Sequence, residues 1–184
     1  EDTGGIGWGH FELFDFARAE RALVAAVKAG GRHNPATHHY LAVTLERNGR
    51  ARQARKHFRI AARLDPEAFF VPVRIPEDEF VAIIERSLEG LTPEIRAALD
   101  NVAVVVEPWP TSADLEYTQL SPLIVGLFSG PSRDQRNTED PWSHMPAQIA
   151  IYQRNLEYTC RTLDEMVEQI RITLWHEIGH WLGL

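Results

Sequence analysis

Apolar residues along the first third of the chain recur every three or four positions, the spacing of a helix with one buried face. Three helices are predicted. Phe16 to Ala29 carries Ala19, Leu23, Ala26 and Val27 on one face, Ala36 to Arg47 carries Leu41 and Leu45, and Ala51 to Leu64 carries Ala54, Phe58, Ala61 and Ala62. The breaks between them, Gly30-Gly31 to Pro35 and Asn48-Gly49, are helix stops. Prolines at 66, 72 and 76 forbid a continuous helix and mark a junction. Beyond it, helices are expected from Pro76 to Leu88 and from Glu94 to Asp100. Short apolar runs at Val102–Val106, Leu123–Phe128 and Gln148–Tyr152 read as strands, and the polar stretch from Ser129 to Pro146 as a loop.

The last element begins at Thr162, which with Glu165 fits a capping box, and runs to about Leu182. Leu163, Val167, Ile170, Leu174, Ile178 and Trp181 form its expected core stripe. His176 and His180 lie one turn apart, away from that stripe, and face something other than the apolar core.

Composition changes this picture little: 44% hydrophobic and 24% charged residues suit a globular chain of 184 residues. No apolar run approaches the roughly 20 residues of a membrane span, so no membrane partner is expected. A single cysteine, Cys160, excludes an internal disulfide framework and fits a reducing, cytoplasmic setting. The chain begins at Glu1 and stops at Leu184, and both ends read as incomplete.

Charge is uneven. Residues 1–71 hold 11 Lys/Arg against 8 Asp/Glu, whereas residues 72–184 hold 8 against 18. The acidic part repels phosphate backbones, which argues against nucleic acid as a partner. The basic cluster Arg50, Arg52, Arg55, Lys56, Arg59 and Arg63 either docks an acidic protein or is a solvated helix face.

His176-Glu177-Ile178-Gly179-His180 is an H-E-x-x-H pattern. Imidazoles at i and i+4 on a helix reach one tetrahedral Zn²⁺, and the glutamate beside them can act as general base. Zinc acidifies water and polarises a carbonyl, so the pattern points to metal-assisted hydrolysis with one zinc per chain. Gly183, three residues on, lets the helix stop and turn sharply. The alternative is two helix-end histidines stabilised by the dipole and by Glu177. Arg133, Asp134 and Arg136 either clamp a substrate carboxylate or belong to a solvated loop.

Two resemblances extend the reading. Ala19, Leu23 and Ala26 recur as Ala54, Phe58 and Ala61 at an offset of 35 residues. With Leu41, Leu45 and the closing Asp65-Pro66, the stretch from His38 to Pro66 resembles a tetratricopeptide unit, with His38 and Ala42 departing from the usual aromatic and glycine. The resemblance implies helices that either bind a protein partner or serve packing alone.

The stretch from Glu77 to Leu184 resembles small bacterial zincin-type metallopeptidases, the minimal gluzincins. The landmarks are Leu91-Thr92-Pro93-Glu94, Asp100 to Glu107, Gly126-Leu127-Phe128-Ser129-Gly130, Pro146 to Tyr152, and His176 to Leu184. The resemblance implies an α+β fold, with a short sheet beside the zinc helix, preceded by an all-α hairpin. The domains would be residues 1–71 and 72–184. It also implies a peptide or protein substrate paired with an edge strand, expected at Gln148, Ile149, Ala150 and Ile151. In such relatives a carboxylate soon after the glycine turn supplies a third ligand, but the sequence stops at Leu184 before any such residue. Within the chain His144 is the substitute. The expected function is a zinc-dependent metallopeptidase using Glu177, His176 and His180; the alternative is a non-catalytic adaptor with a structural or vestigial metal site.

Overall fold

The computed structural model describes residues 3–116, 118, 120–135 and 146–184. His144 and Arg136 therefore lie outside the described residues. The chain divides into two compact units, Glu1–Pro72 and Val73–Leu184, the first all-helical and the second α+β.

The first unit holds α1 (Thr3–Glu12), α2 (Phe16–Lys28), a 3-10 turn at Gly31–His33, α3 (Pro35–Arg47) and α4 (Ala51–Leu64). Local chemistry sets the boundaries. Asp15 accepts the Arg18 N–H and Asn34 accepts the Thr37 N–H, capping α2 and α3. Gly49 takes a left-handed φ of 74° in the turn before α4. All six positions of the 35-residue offset are buried, so the repeat marks the inward faces of α2 and α4.

Helix α1 was not expected, because glycines at 4, 5, 7 and 9 disfavour helix. Packing overrides propensity here. Phe11 is fully buried, Trp8 stacks on Phe11 and Tyr40, and a side chain at Gly7 would come within 2.7 Å of Leu23 Cγ.

Three imidazoles lie between α3 and α4. His38 Nδ1 meets His57 Nδ1 at 2.8 Å, and His38 Nε2 lies 3.2 Å from the Arg32 carbonyl, to which it donates. His57 Nδ1 must then be the donor of the pair. The His39 ring packs against Tyr40, Phe58 and Phe69, and burial pushes its pKa from 6.5 down to about 4.

A depressed folded pKa contributes stability that is fully present above pH 6.5 and lost as the pH falls towards 4. The expected loss is about 3 kcal/mol. Amide exchange of α3 and α4, followed from pH 7 to 4, should show it. His39→Phe should flatten that dependence, and an unchanged slope would refute the assignment to His39.

The second unit runs α5 (Glu77–Glu89), α6 (Pro93–Ala98), β1 (Val102–Glu107), α7 (Ser112–Leu115), β2 (Gly126–Ser129), β3 (Ala147–Tyr152), α8 (Gln153–Thr159) and α9 (Leu163–Leu182). Its strands form a mixed sheet of order β1-β3-β2: β1 is parallel to β3, and β2 is antiparallel to it. Strand β3, expected to be an edge, is the central strand. Gln148, Ile149, Ala150 and Ile151 pair on both sides, so their backbone cannot receive a substrate. The edges are β1 and β2. A continuous apolar run is what a fully covered central strand needs, and the buried side chains of Ile149, Ala150 and Ile151 show that role.

The core joins Phe80, Ile83 and Ile84 of α5, Ile149 and Ile151 of β3, Leu156 of α8 and Met166, Ile170, Leu174 and Ile178 of α9. Leu163 and Val167, expected in the α9 stripe, are 41% and 40% exposed. Met166, Thr173 and Glu177 take the inner positions instead. The buried face is thus rotated towards the histidine edge by roughly 30°.

Helix α8 escaped the periodic pattern because its inward positions are polar. Gln153, Asn155 and Glu157 are all buried. Glu157, fully buried, accepts from Arg74, Arg154, Gln153 Nε2 and the Ile75 N–H. Asn155 Nδ2 donates to the Pro122 and Ile124 carbonyls, fixing the segment that leads into β2.

Candidate active site

Helix α9 is capped at both ends. Thr162 Oγ1 accepts the Glu165 N–H, and the Glu165 carboxylate reaches back to the Arg161 N–H. At the far end Gly183 adopts φ 81°, with Gly183 N–H on the His180 carbonyl and Leu184 N–H on that of Gly179, a Schellman closure. Trp181 Nε1 donates to the Ala98 carbonyl, and its own carbonyl accepts the Arg133 N–H. The last two turns are held on several sides.

On that rigid segment His176 and His180 are exposed, with their Nε2 atoms 3.1 Å apart and their rings nearly perpendicular. Two Zn–N bonds of ~2.05 Å at a tetrahedral angle set nitrogens about 3.3 Å apart. The imidazoles therefore fit one zinc between them. Among the described residues no third His, Cys, Asp or Glu joins the pair.

Glu177, beside them on the helix, is buried. It is 6% exposed, and its Oε2 accepts the Phe128 N–H at 2.8 Å. Burial raises the Glu177 pKa, opposed by the Phe128 N–H and by the two histidines. A carboxylate made more basic by its surroundings is suited to taking a proton near neutral pH. Gly126, beside it, has no room for a side chain.

The two histidines and Glu177 open on a cleft of about 690 Å³. Leu120, Ile124, Val125 and Leu127 supply an apolar wall, and Ser132 and Gln135 a polar end. Asp134, considered for a carboxylate clamp, accepts from Ser132 at 2.6 Å and lies beside Gly183; this bond with the hydroxyl lowers its pKa. Gly126 and Phe128 stand in one of the landmark segments, but the sequence reading gave them no role at the site, since their partner is 49 or more residues away.

Comparison with known families supports a zincin-like reading of the second unit. Residues 99–184 match the family described as zincin-like metallopeptidase, a span containing all three strands and the three motif residues. The chain matches no curated protein. No helix among the described residues is long and apolar enough to cross a membrane.

Proposed function

We propose that this protein is a zinc-dependent metallopeptidase in which His176 and His180 hold the ion and Glu177 is the general base. The carrying observation is the convergence of the two imidazole nitrogens at 3.1 Å beside a buried carboxylate of raised pKa. When bound, zinc supplies the Lewis acidity that activates water and polarises the scissile carbonyl. Glu177 takes the proton of the attacking water and delivers it to the leaving amine. The substrate lies extended along β2, an edge strand flanking the cleft, rather than along β3. Phe128 N–H, held by Glu177, is not among the groups offered to it. A third ligand would complete the catalytic site, and His144 is the candidate within the sequence.

Metal analysis of the purified protein tests this directly. About one zinc per chain is expected, falling towards none in His176→Ala, and added zinc should raise the melting temperature of the wild type only. Equal zinc in both proteins would rule out the proposed ligands. Zinc and activity should also be lost together below about pH 6, where ligand imidazoles protonate.

The first unit is proposed to recruit a protein partner through α4. Arg52, Arg55, Lys56, Arg59 and Arg63 are exposed on that helix, while Arg50 is engaged with Glu20. The adaptor alternative keeps this role without catalysis, and a zinc-loaded protein inert towards every peptide would favour it.

A further inference from the structure

Glu177 belongs to α9, yet β2 holds its side chain at one residue and leaves it space at another. Phe128 N–H donates to Oε2 at 2.8 Å. A Cβ at position 126 would lie 2.9 Å from Oε1 and 3.0 Å from Cγ of Glu177, and 2.6 Å from Thr173 Cγ2. Glycine often stands in a chain because its backbone needs a positive φ. Here it does not: the positive-φ glycines are 30, 49, 130 and 183. Position 126, the first residue of β2, therefore requires glycine for space alone. Thr173 cannot yield, since it is buried, β-branched and on the helix.

We propose that Gly126 and the Phe128 N–H are the positioning pair for the general base: β2 grips Glu177 by Oε2, and glycine at 126 keeps the space beside Oε1 open. The inference rests on the reading of Glu177 as the base. Strand β2 thereby has two duties, to border the substrate cleft and to fix the group that works on the substrate. Oε2 is occupied by the strand, so Oε1 is the oxygen that receives the proton. A small displacement of the carboxylate matters, because misplacing a reacting group by ~1 Å can cost about 10²-fold in rate.

Close packing of β2 on α9 could require the same glycine without any effect on catalysis, and the variants are chosen to separate these roles. Gly126→Ala should lower kcat by about 10²-fold with KM and zinc content unchanged. Thr173→Ser removes the Cγ2 methyl, the tightest of the three contacts, and should be nearly neutral alone. In the double variant Gly126→Ala/Thr173→Ser the melting temperature should recover while kcat stays low, because the contacts with Glu177 remain. Recovery of kcat together with stability would overturn the proposal.

A second arm needs no activity. In the isotopically labelled full chain, the Phe128 amide proton should resonate downfield and exchange slowly. In Glu177→Ala it should move upfield and exchange faster, and Gly126→Ala should shift it the same way. An amide unmoved in both variants would overturn the positioning contact. If zinc-loaded wild type cleaves no peptide, the peptidase reading fails, while this arm still decides whether β2 holds the carboxylate.

Discussion

Glu177→Gln should abolish peptide hydrolysis, by roughly 10²–10⁴-fold, while leaving zinc bound. The amide oxygen of glutamine can still accept the Phe128 N–H, so the carboxylate's shape and anchoring survive and only its basicity is lost. The same substitution should make the metal-free protein more stable at pH 7. Burial raises the folded pKa of Glu177 above the ordinary 4.5, so the folded state binds its proton more tightly than the unfolded chain does. That contribution is present below pH 4.5 and is lost as the pH rises through the folded value. Glutamine, always neutral, escapes the loss. Thermal melts of chelator-treated protein should therefore show Glu177→Gln above wild type at neutral pH, with the gap closing as the pH falls to about 4.5. Undiminished hydrolysis would remove Glu177 as the base, and a lower melting temperature at pH 7 would contradict its burial as an unfavourable charge. Together the two results would show a site that gives up stability for function.

Glu157→Ala should cost the second unit roughly 3 kcal/mol or more, without touching the cleft. This carboxylate is fully buried and accepts from two arginines, a glutamine amide and a backbone N–H that reach it from the 74–75 segment and from its own helix. Removing one member of a buried ionic cluster leaves the others unsatisfied, typically at about 3–5 kcal/mol. Arg74 and Arg154 have side chains 31% and 35% exposed, so water relieves part of their loss and the lower end applies. Urea unfolding of the full chain measures the effect. A change within about 0.5 kcal/mol would mean that the arginines re-solvate freely and that the cluster is not what ties residues 74–75 to α8. Zinc content of the folded variant should remain that of wild type, because no member of the cluster lines the cleft.

The elements legible in advance were those whose own residues carry the signal. Helices α2, α3 and α4 show a helical apolar period and their own stops, and α9 shows both its cap at Thr162 and its terminating Gly183. The pair His176 and His180 belongs to the same group, since i and i+4 on any helix bring two imidazoles together. Elements without a local signal were missed. Helix α1 is glycine-rich and exists because Phe11 and Trp8 have partners on other helices. Helix α8 turns polar groups inward, which only an ion cluster at Glu157 and carbonyls at 122 and 124 make tolerable.

What the sequence alone determined was thus the approach of two imidazoles across one helical turn, because four residues of α-helix have one shape wherever they occur. What only the tertiary structure decided was where the Glu177 side chain points and which strand meets it. Glu177 lies at the centre of the buried face, not beside it, and the edge strand at the cleft is β2, not β3. Strand order depends on pairings between residues distant in sequence, and apolar runs mark all three strand segments, so the run by itself does not tell the central strand from an edge. The contact between Glu177 and Phe128 spans 49 residues and is read from no pattern in either segment.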